Sequence, residues 1–219
     1  MAKAKPLSKS QINKVLNRCL LMQSPELKRA ALVLSFCTLR VSELAQITIS
    51  DLLMPSGEVK SEIALRAALC KRRKPRTVWL SSQARQVLQE WIDYRIGRKW
   101  GVTSKTEYQG LNPASKVPYC NRGRSYSMKR KTRYSITGER VDYLACDVLE
   151  LMLRTIYQRC GLNGCSSHTG RRSYASNMNN KGIGLRTIAA ALGHSDEQVT
   201  LEYIDVSSQQ LSEAAKLAF

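Results

Sequence analysis

The sequence predicts a mainly α-helical domain with a small antiparallel β-sheet, an α+β fold. Three observations give this. Apolar residues recur at three- and four-residue intervals over most of the chain, the period of a helix with one buried face. Two short β-rich segments occur close together, separated by a turn, within residues 58–81. The chain has 219 residues, 43% of them hydrophobic and with no internal repeat, so residues 1–219 are read as one domain around one core.

Residues 1–7 form a short basic arm. Ser8 or Ser10 caps a first helix, in which Ile12, Val15, Leu16, Cys19 and Leu20 make one apolar stripe. Pro25 suits the first turn of a second helix running through Leu27, Ala31, Leu32 and Leu34 toward Leu39. Ser42 caps a short helix with Glu43, Leu44 and Ile47. Glu62–Leu65 and Thr77–Leu80 are the strands of the small sheet, joined by the basic turn Lys71-Arg72-Arg73-Lys74-Pro75-Arg76. Ser82 caps a helix carrying Val87, Leu88, Trp91 and Ile92.

Residues 98–140 differ in character. They hold 11 Lys and Arg against Glu107 and Glu139, a net +9 that is half of the chain's +18 in a fifth of its length. Tyr108, Tyr119, Tyr126 and Tyr134 are interleaved. The segment reads as a long basic insertion with a β-ribbon (Arg133–Thr137, Gly138, Arg140-Val141) that orders against DNA. Helices resume with Tyr143–Cys160, which has a wide apolar face, then His168–Met178, Leu185–Leu192 and Glu197–Tyr203. Ser208 caps a last helix to Leu217, within a C-terminal segment 207–219.

A stable core with this charge excess points to a polyanion, and nucleic acid fits better than a membrane surface, because no amphipathic basic helix of membrane type stands out. The basic N-terminus leads into no apolar signal segment. The longest apolar run, Ala30 to Leu39, is about half a membrane span. The seven cysteines form no Cys-x-x-Cys pair and read as reduced thiols of a cytoplasmic protein. Cys160, Cys165 and His168 imitate a metal cluster but lack a second pair of ligands, so no metal is expected.

Six side chains have the chemistry for attack on a DNA phosphate. A phosphodiester repels nucleophiles until its oxygens are neutralised. Arg40 and Arg171 can do this with paired charge-assisted hydrogen bonds. His168 lies one helical turn before Arg171, on the same face. Tyr203 is the candidate nucleophile, and positive charge around it must favour the phenolate. Lys71, on a hairpin turn, can protonate the leaving 5′-hydroxyl. His194 can donate to the phosphate or accept from the tyrosine. Each has an ordinary alternative: Arg40 as a cation ending an apolar helix, Lys71 as one of a solvated run, the histidines as capping or turn residues, Tyr203 as core packing. Glu43 either orients Arg40 or is a helix-surface charge.

Taken together, in this order and at these intervals, the six resemble the tyrosine recombinase (phage integrase) family. Thr38-Leu39-Arg40-Val41-Ser42-Glu43-Leu44 is similar to the family's first arginine motif, without its usual glycine. Lys71 stands five residues before Arg76-Thr77-Val78-Trp79-Leu80, as the family's hairpin lysine stands before an Arg-x-Val-x-Leu strand. His168–Arg171 resembles the His-x-x-Arg box, with Gly170 in place of the usual leucine, a change expected to weaken the helix slightly. Leu192-Gly193-His194 resembles the Leu-Gly-His box, and Thr200–Val206 the segment around the nucleophile. The likeness covers residues 8–96 and 143–206.

The resemblance implies the tyrosine recombinase catalytic-domain fold and a site-specific DNA recombinase that cleaves and rejoins strands through a 3′-phosphotyrosine at Tyr203, without a metal or nucleotide cofactor. Integration, excision or inversion of a mobile or switchable element would be the outcome. It implies double-stranded DNA as partner, self-association into a tetramer in synapsis, and accessory DNA-bending or host recombinase proteins. Arg72, Arg73, Lys74, Arg76, Arg122, Arg124, Lys129, Arg130, Lys131 and Arg133 are the expected DNA contacts, in a cytoplasmic, nucleoid-associated protein. The family's N-terminal core-binding domain is expected to be absent, with residues 98–140 replacing part of its grip, so deleting 100–138 should abolish DNA binding at moderate salt. Two other readings stay open: a type IB topoisomerase, which usually has Lys or Arg where His168 stands, and a non-catalytic DNA-binding accessory factor.

Overall fold

In the computed structural model, residues 3–70, 73–135, 138–194, 196–204, 211–212 and 215–216 are described. The elements run α1 (Lys9–Cys19), α2 (Pro25–Phe36), α3 (Val41–Leu44), α4 (Ile49–Leu52), β1 (Glu62–Leu65), β2 (Arg76–Trp79), α5 (Ser82–Gly97), β3 (Lys129–Tyr134), β4 (Arg140–Ala145), α6 (Asp147–Arg159), α7 (Thr169–Asn179), α8 (Leu185–Leu192) and α9 (Glu197–Leu201). This is the α+β class expected, with the small antiparallel sheet β1–β2 and a second two-stranded sheet, β3–β4, near the expected ribbon.

Helix α2 is the centre. Leu27, Ala30, Ala31, Leu32, Val33, Leu34 and Ser35 are all buried on it, and α1, α5, α6 and α7 pack around it. Each fully buried leucine contributes about 1.5–3 kcal/mol. Ser8 caps α1: its Oγ accepts from Gln11 N, and Gln11 Oε1 accepts from Ser8 N, a reciprocal pair that satisfies two otherwise orphaned donors. The N-terminal arm is tied down rather than loose. Lys5 N donates to Gly164 O, Leu7 N to Ser173 Oγ, and Asn177 Nδ2 to Leu7 O, so the arm runs along α7.

Sheet β1–β2 has the register Glu62↔Trp79, Ile63↔Val78, Ala64↔Thr77, Leu65↔Arg76, which puts Ile63, Leu65 and Val78 into the core. Two expected caps are displaced. Ser42 lies inside α3, whose N-cap position is Arg40, and Ser81, not Ser82, caps α5, accepting from Ala84 N. In both cases the helix begins one or two residues earlier than expected.

The segment 98–140 divides in two. Its first part is built into the core: Leu111 and Val117 are buried. The wholly buried Arg95 donates to the carbonyls of Trp100, Lys116 and Val117, and Trp91 Nε1 donates to Val117 O. This part is therefore not an excursion. Deleting 100–138 would strip Arg95 and Trp91 of their acceptors, so it cannot serve as a clean test of DNA contact. The second part is an exposed ribbon, β3–β4, paired from Lys129↔Ala145 to Tyr134↔Arg140. Because β4 extends to Ala145, paired with β3 along its length, α6 begins at Asp147 rather than at Tyr143. Ile136 and Thr137 of the expected ribbon, and most of the expected helix from Ser208 to Leu217, lie outside the described residues.

Candidate active site

Two helix ends of the same kind form the framework. At the end of α2, Leu39 N donates to Leu34 O and Thr38 N to Ser35 O, with Thr38 at φ +79°. At the end of α8, His194 N donates to Ala189 O and Gly193 N to Ala190 O, with Gly193 at φ +65°. Both are Schellman-type closures, which want a left-handed residue, usually glycine. The first delivers Arg40 and the second His194. Thr38 occupies the left-handed position itself, which is where the arginine motif lacks its glycine. Thr38 Oγ1 donates to Ala191 O, tying the two helix ends together.

Arg171 enters from the first turn of α7, 1% exposed. Its Nη1 donates to Thr38 O (2.5 Å) and its Nη2 to Leu192 O (2.7 Å), with His194 Nε2 3.1 Å from Nη2. Arginine has no acceptor, so Nε2 accepts and the His194 proton sits on Nδ1, assigned here from that network. Nδ1–H then donates to Thr200 Oγ1 at 2.8 Å. The Tyr203 ring lies 4.9 Å from the His194 ring and 5.8 Å from the Arg171 guanidinium, centroid distances that put the phenol beside fixed positive charge. Tyr203 and Ile204 also pack on a small cluster of Ala175, Ile188 and Leu192, so the packing role weighed for Tyr203 coexists with its place in the site.

Glu43 is wholly buried and serves two arginines. Arg40 Nη1 donates to Oε1 and Arg76 Nη2 to Oε2, each at 2.7 Å, and the Arg40 backbone N–H donates to Oε2 at 2.8 Å. Burial alone would raise the Glu43 carboxyl, but Arg76 and Arg40 outweigh it and hold the group below the usual carboxylate range. Burial, then the nearby Arg40 and Arg76, pushes Arg171 down to about 9, still protonated at neutral pH. Three guanidinium groups thus surround one carboxylate. Arg171 stands moreover in the first turn of α7, where the helix dipole already favours an anion. The cluster has positive charge in excess of what its own residues neutralise, and Arg40 remains 20% exposed to meet a ligand.

His168 is exposed at the N-cap of α7, one turn before Arg171. Lys71 and Arg72 lie outside the described residues. Of the expected DNA contacts, Arg73, Lys74, Arg122, Arg124, Lys129, Arg130 and Arg133 are exposed. Lys131 is paired with Asp147. Arg76 is a correction: its side chain is 6% exposed and turned inward to protein acceptors. Thr38, Thr200 and the carbonyls of Ala191 and Leu192 were not anticipated. The missing motif glycine was the one available sign of Thr38; backbone carbonyls leave none.

The model of the Phage integrase family matches residues 5–210. Tyrosine recombinase XerD of Yersinia pestis is 29% identical over 209 residues, covering 94% of this chain and 59% of the relative. Tyrosine recombinase XerC of Herpetosiphon aurantiacus is 27% identical, covering 94% and 57%. The chain therefore spans somewhat over half the length of these relatives. Among solved structures, XerA recombinase superposes with a TM-score of 0.68 at 19% identity, covering 99% of this chain and 64% of that one. The Tn1549 transposon integrase in complex with transposon right end DNA gives 0.64 at 15%, covering 98% and 66%. The likeness in fold extends over almost the whole chain, and with the family match over residues 5–210 it establishes that the chain belongs to the phage integrase family of tyrosine recombinases.

Proposed function

We propose that this chain is the catalytic domain of a site-specific DNA recombinase that cleaves one strand at a time through a 3′-phosphotyrosine at Tyr203. One observation carries the reading: three guanidinium groups and a histidine converge on a buried cluster whose positive charge exceeds its negative charge, with a tyrosine ring against it. That arrangement suits a phosphate whose equatorial charge grows in the transition state.

In the proposed step, Tyr203 Oη attacks the phosphorus, the bond to the 5′-oxygen breaks, and Lys71 gives that oxygen its proton. Arg40 and Arg171 hold the non-bridging oxygens. When Arg171 turns Nη2 toward the phosphate, His194 Nε2 is released to take the phenol proton, while Thr200 keeps the ring in place through Nδ1. His168 donates to the same phosphate. Reversal with a partner strand's 5′-hydroxyl rejoins the DNA, so bond energy is conserved in the covalent link. The relatives' names and the DNA-bound integrase support double-stranded DNA as partner. Synapsis through a tetramer and recruitment of accessory proteins belong to the same proposal, as does action in the cytoplasm; no described helix is long and apolar enough to cross a membrane.

The exposed ribbon is assigned to DNA contact. β4 comes alongside α3, so the ribbon rises next to Arg40, and Arg130 and Arg133 project from it exposed. The test is a library of nicked duplexes drawn from DNA flanking the gene. The wild-type chain should form a covalent adduct that denaturing electrophoresis retains. Tyr203→Phe should form none, and Arg40→Ala or Arg171→Ala should slow adduct formation about 10²–10³-fold. An adduct that persists in Tyr203→Phe would remove this tyrosine from the mechanism.

A further inference from the structure

We propose that Arg76 is a positioning residue of the phosphate site: it holds Thr38 and Glu43, and through them Arg171 and Arg40, in the geometry that receives an oxyanion. The oxyanion part rests on the function proposed above; the positioning part does not.

The side chain works as a fork with acceptors on three segments. Nη1 donates to Thr38 Oγ1 (3.0 Å) and to Ala191 O (3.2 Å). Nη2 donates to Thr38 O (2.9 Å) and to Glu43 Oε2 (2.7 Å). Two of these acceptors are shared with the arginines assigned to phosphate. Thr38 O also accepts from Arg171, and the Glu43 carboxylate also accepts from Arg40. Among the described residues, Arg76 is thus the one side chain that touches both partners' anchors. A lysine would supply the charge but not the planar fork.

The backbone around it is shaped to let it pass. A Cβ at Gly193 would meet Arg76 Cδ at 2.3 Å and Nε at 3.1 Å. Gly193 therefore does two things: it takes φ +65° to close α8, and it leaves the channel through which Arg76 reaches Thr38 and Ala191. His194, the next residue, is fixed by the same closure. Arg76 also places a cation at the carboxyl end of α8, where the helix dipole favours it. Each terminal nitrogen of Arg76 makes two hydrogen bonds to protein acceptors, whereas Arg171 Nη1 makes one, so the Arg76 fork is the one fully engaged within the protein.

The competing reading is that Arg76 merely stabilises the fold. The chain's two histidines make the readings separable, because an isotope-labelled sample gives two imidazole signals and His168→Gln assigns them. In Arg76→Gln, Arg171 loses the neighbour that shares Thr38 O, and the His194 nitrogen shifts should move away from the Nδ1–H pattern while those of His168 stay. His194 signals unchanged in folded Arg76→Gln would overturn the proposal, whatever DNA assays show. If Arg76→Gln does not fold, Arg76→Lys carries the test. It should titrate with orthovanadate at least tenfold more weakly than wild type, read on the His194 signal, and form DNA adduct at least tenfold more slowly with unchanged DNA affinity. Wild-type vanadate binding in Arg76→Lys would equally overturn the proposal. A wild-type chain that makes no adduct on any duplex would instead count against the recombinase reading, with the histidine signals still deciding the role of Arg76.

Discussion

Thr38 is a threonine at φ +79°, a conformation that costs a β-branched residue about 1 kcal/mol or more. It is retained because its hydroxyl and carbonyl together serve Ala191, Arg76 and Arg171. Thr38→Val keeps the strain and removes the hydroxyl, so urea unfolding should show a loss of about 1–3 kcal/mol. Thr38→Gly relieves the strain and should fall between Val and wild type; a glycine variant less stable than the valine one would contradict this account. Glu43 has a pH signature. Its carboxyl is held below the usual range by Arg76 and Arg40, against the opposing effect of burial, so the unfolded chain takes up the proton first as pH falls. Its contribution is full well above the unfolded-state value of about 4.3. It is lost as pH falls from there through the lower folded-state value. Glu43→Gln should cost about 3–5 kcal/mol at neutral pH, because the buried Arg76 side chain and the partly exposed Arg40 lose their counter-charge. Its stability should then decline less steeply below about pH 4 than wild type in a pH series of unfolding curves. At this scale the sequence was legible in which side chains gather: Arg40, Arg171, His194 and Tyr203, singled out by type and spacing, lie together in the structure. It was not legible for Arg76, because a buried fork and a DNA-facing cation are the same letter in a basic run.

Among the elements, the contact of α2 with α7 sets the site most directly, since it brings Thr38 to Arg171. Gly170 permits it: a Cβ there would meet Ser35 Oγ at 2.3 Å and the Ser35 carbonyl oxygen at 2.5 Å. The glycine expected to weaken α7 is thus required by a close backbone crossing. Its helix-propensity cost of about 1 kcal/mol is offset by the packing it allows. Gly170→Leu should push α7 off α2. We expect a loss of at least about 1–3 kcal/mol in thermal or urea unfolding, together with displacement of Arg171. A leucine variant as stable as wild type would mean that α2 and α7 are not packed this closely. Helical stripes and the β1–β2 hairpin were readable because period and turn chemistry are local. The joint between β4 and α6 was not, because Val141, Tyr143 and Leu144 satisfy both a strand and the first turn of an apolar-faced helix until cross-strand pairing with β3 decides.

Over the whole molecule, net charge and its location carry separate information. The +18 excess announces a polyanion partner, but it does not say which cations face it. Burial makes that division. Arg76 and Arg95 are turned to interior carbonyls, whereas Arg122, Arg124, Arg130 and Arg133 stay at the surface. The distinction yields a test that leaves the core-built stretch near Leu111 and Val117 intact. Each cation that meets a phosphate releases about one counterion, so losing it lowers the salt slope of binding by about 0.9 on a log–log plot. Arg130→Ala with Arg133→Ala should therefore weaken binding to unrelated duplexes by a similar factor and reduce the slope by about 2. Arg76→Gln should leave the slope unchanged while slowing cleavage. If the double variant keeps the wild-type slope, the ribbon does not lie on DNA. If Arg76→Gln lowers the slope by about 1, Arg76 turns outward on binding. Fluorescence anisotropy across a salt series reads both, and the two outcomes are independent because, among the described residues, the ribbon and the buried fork share no hydrogen bond.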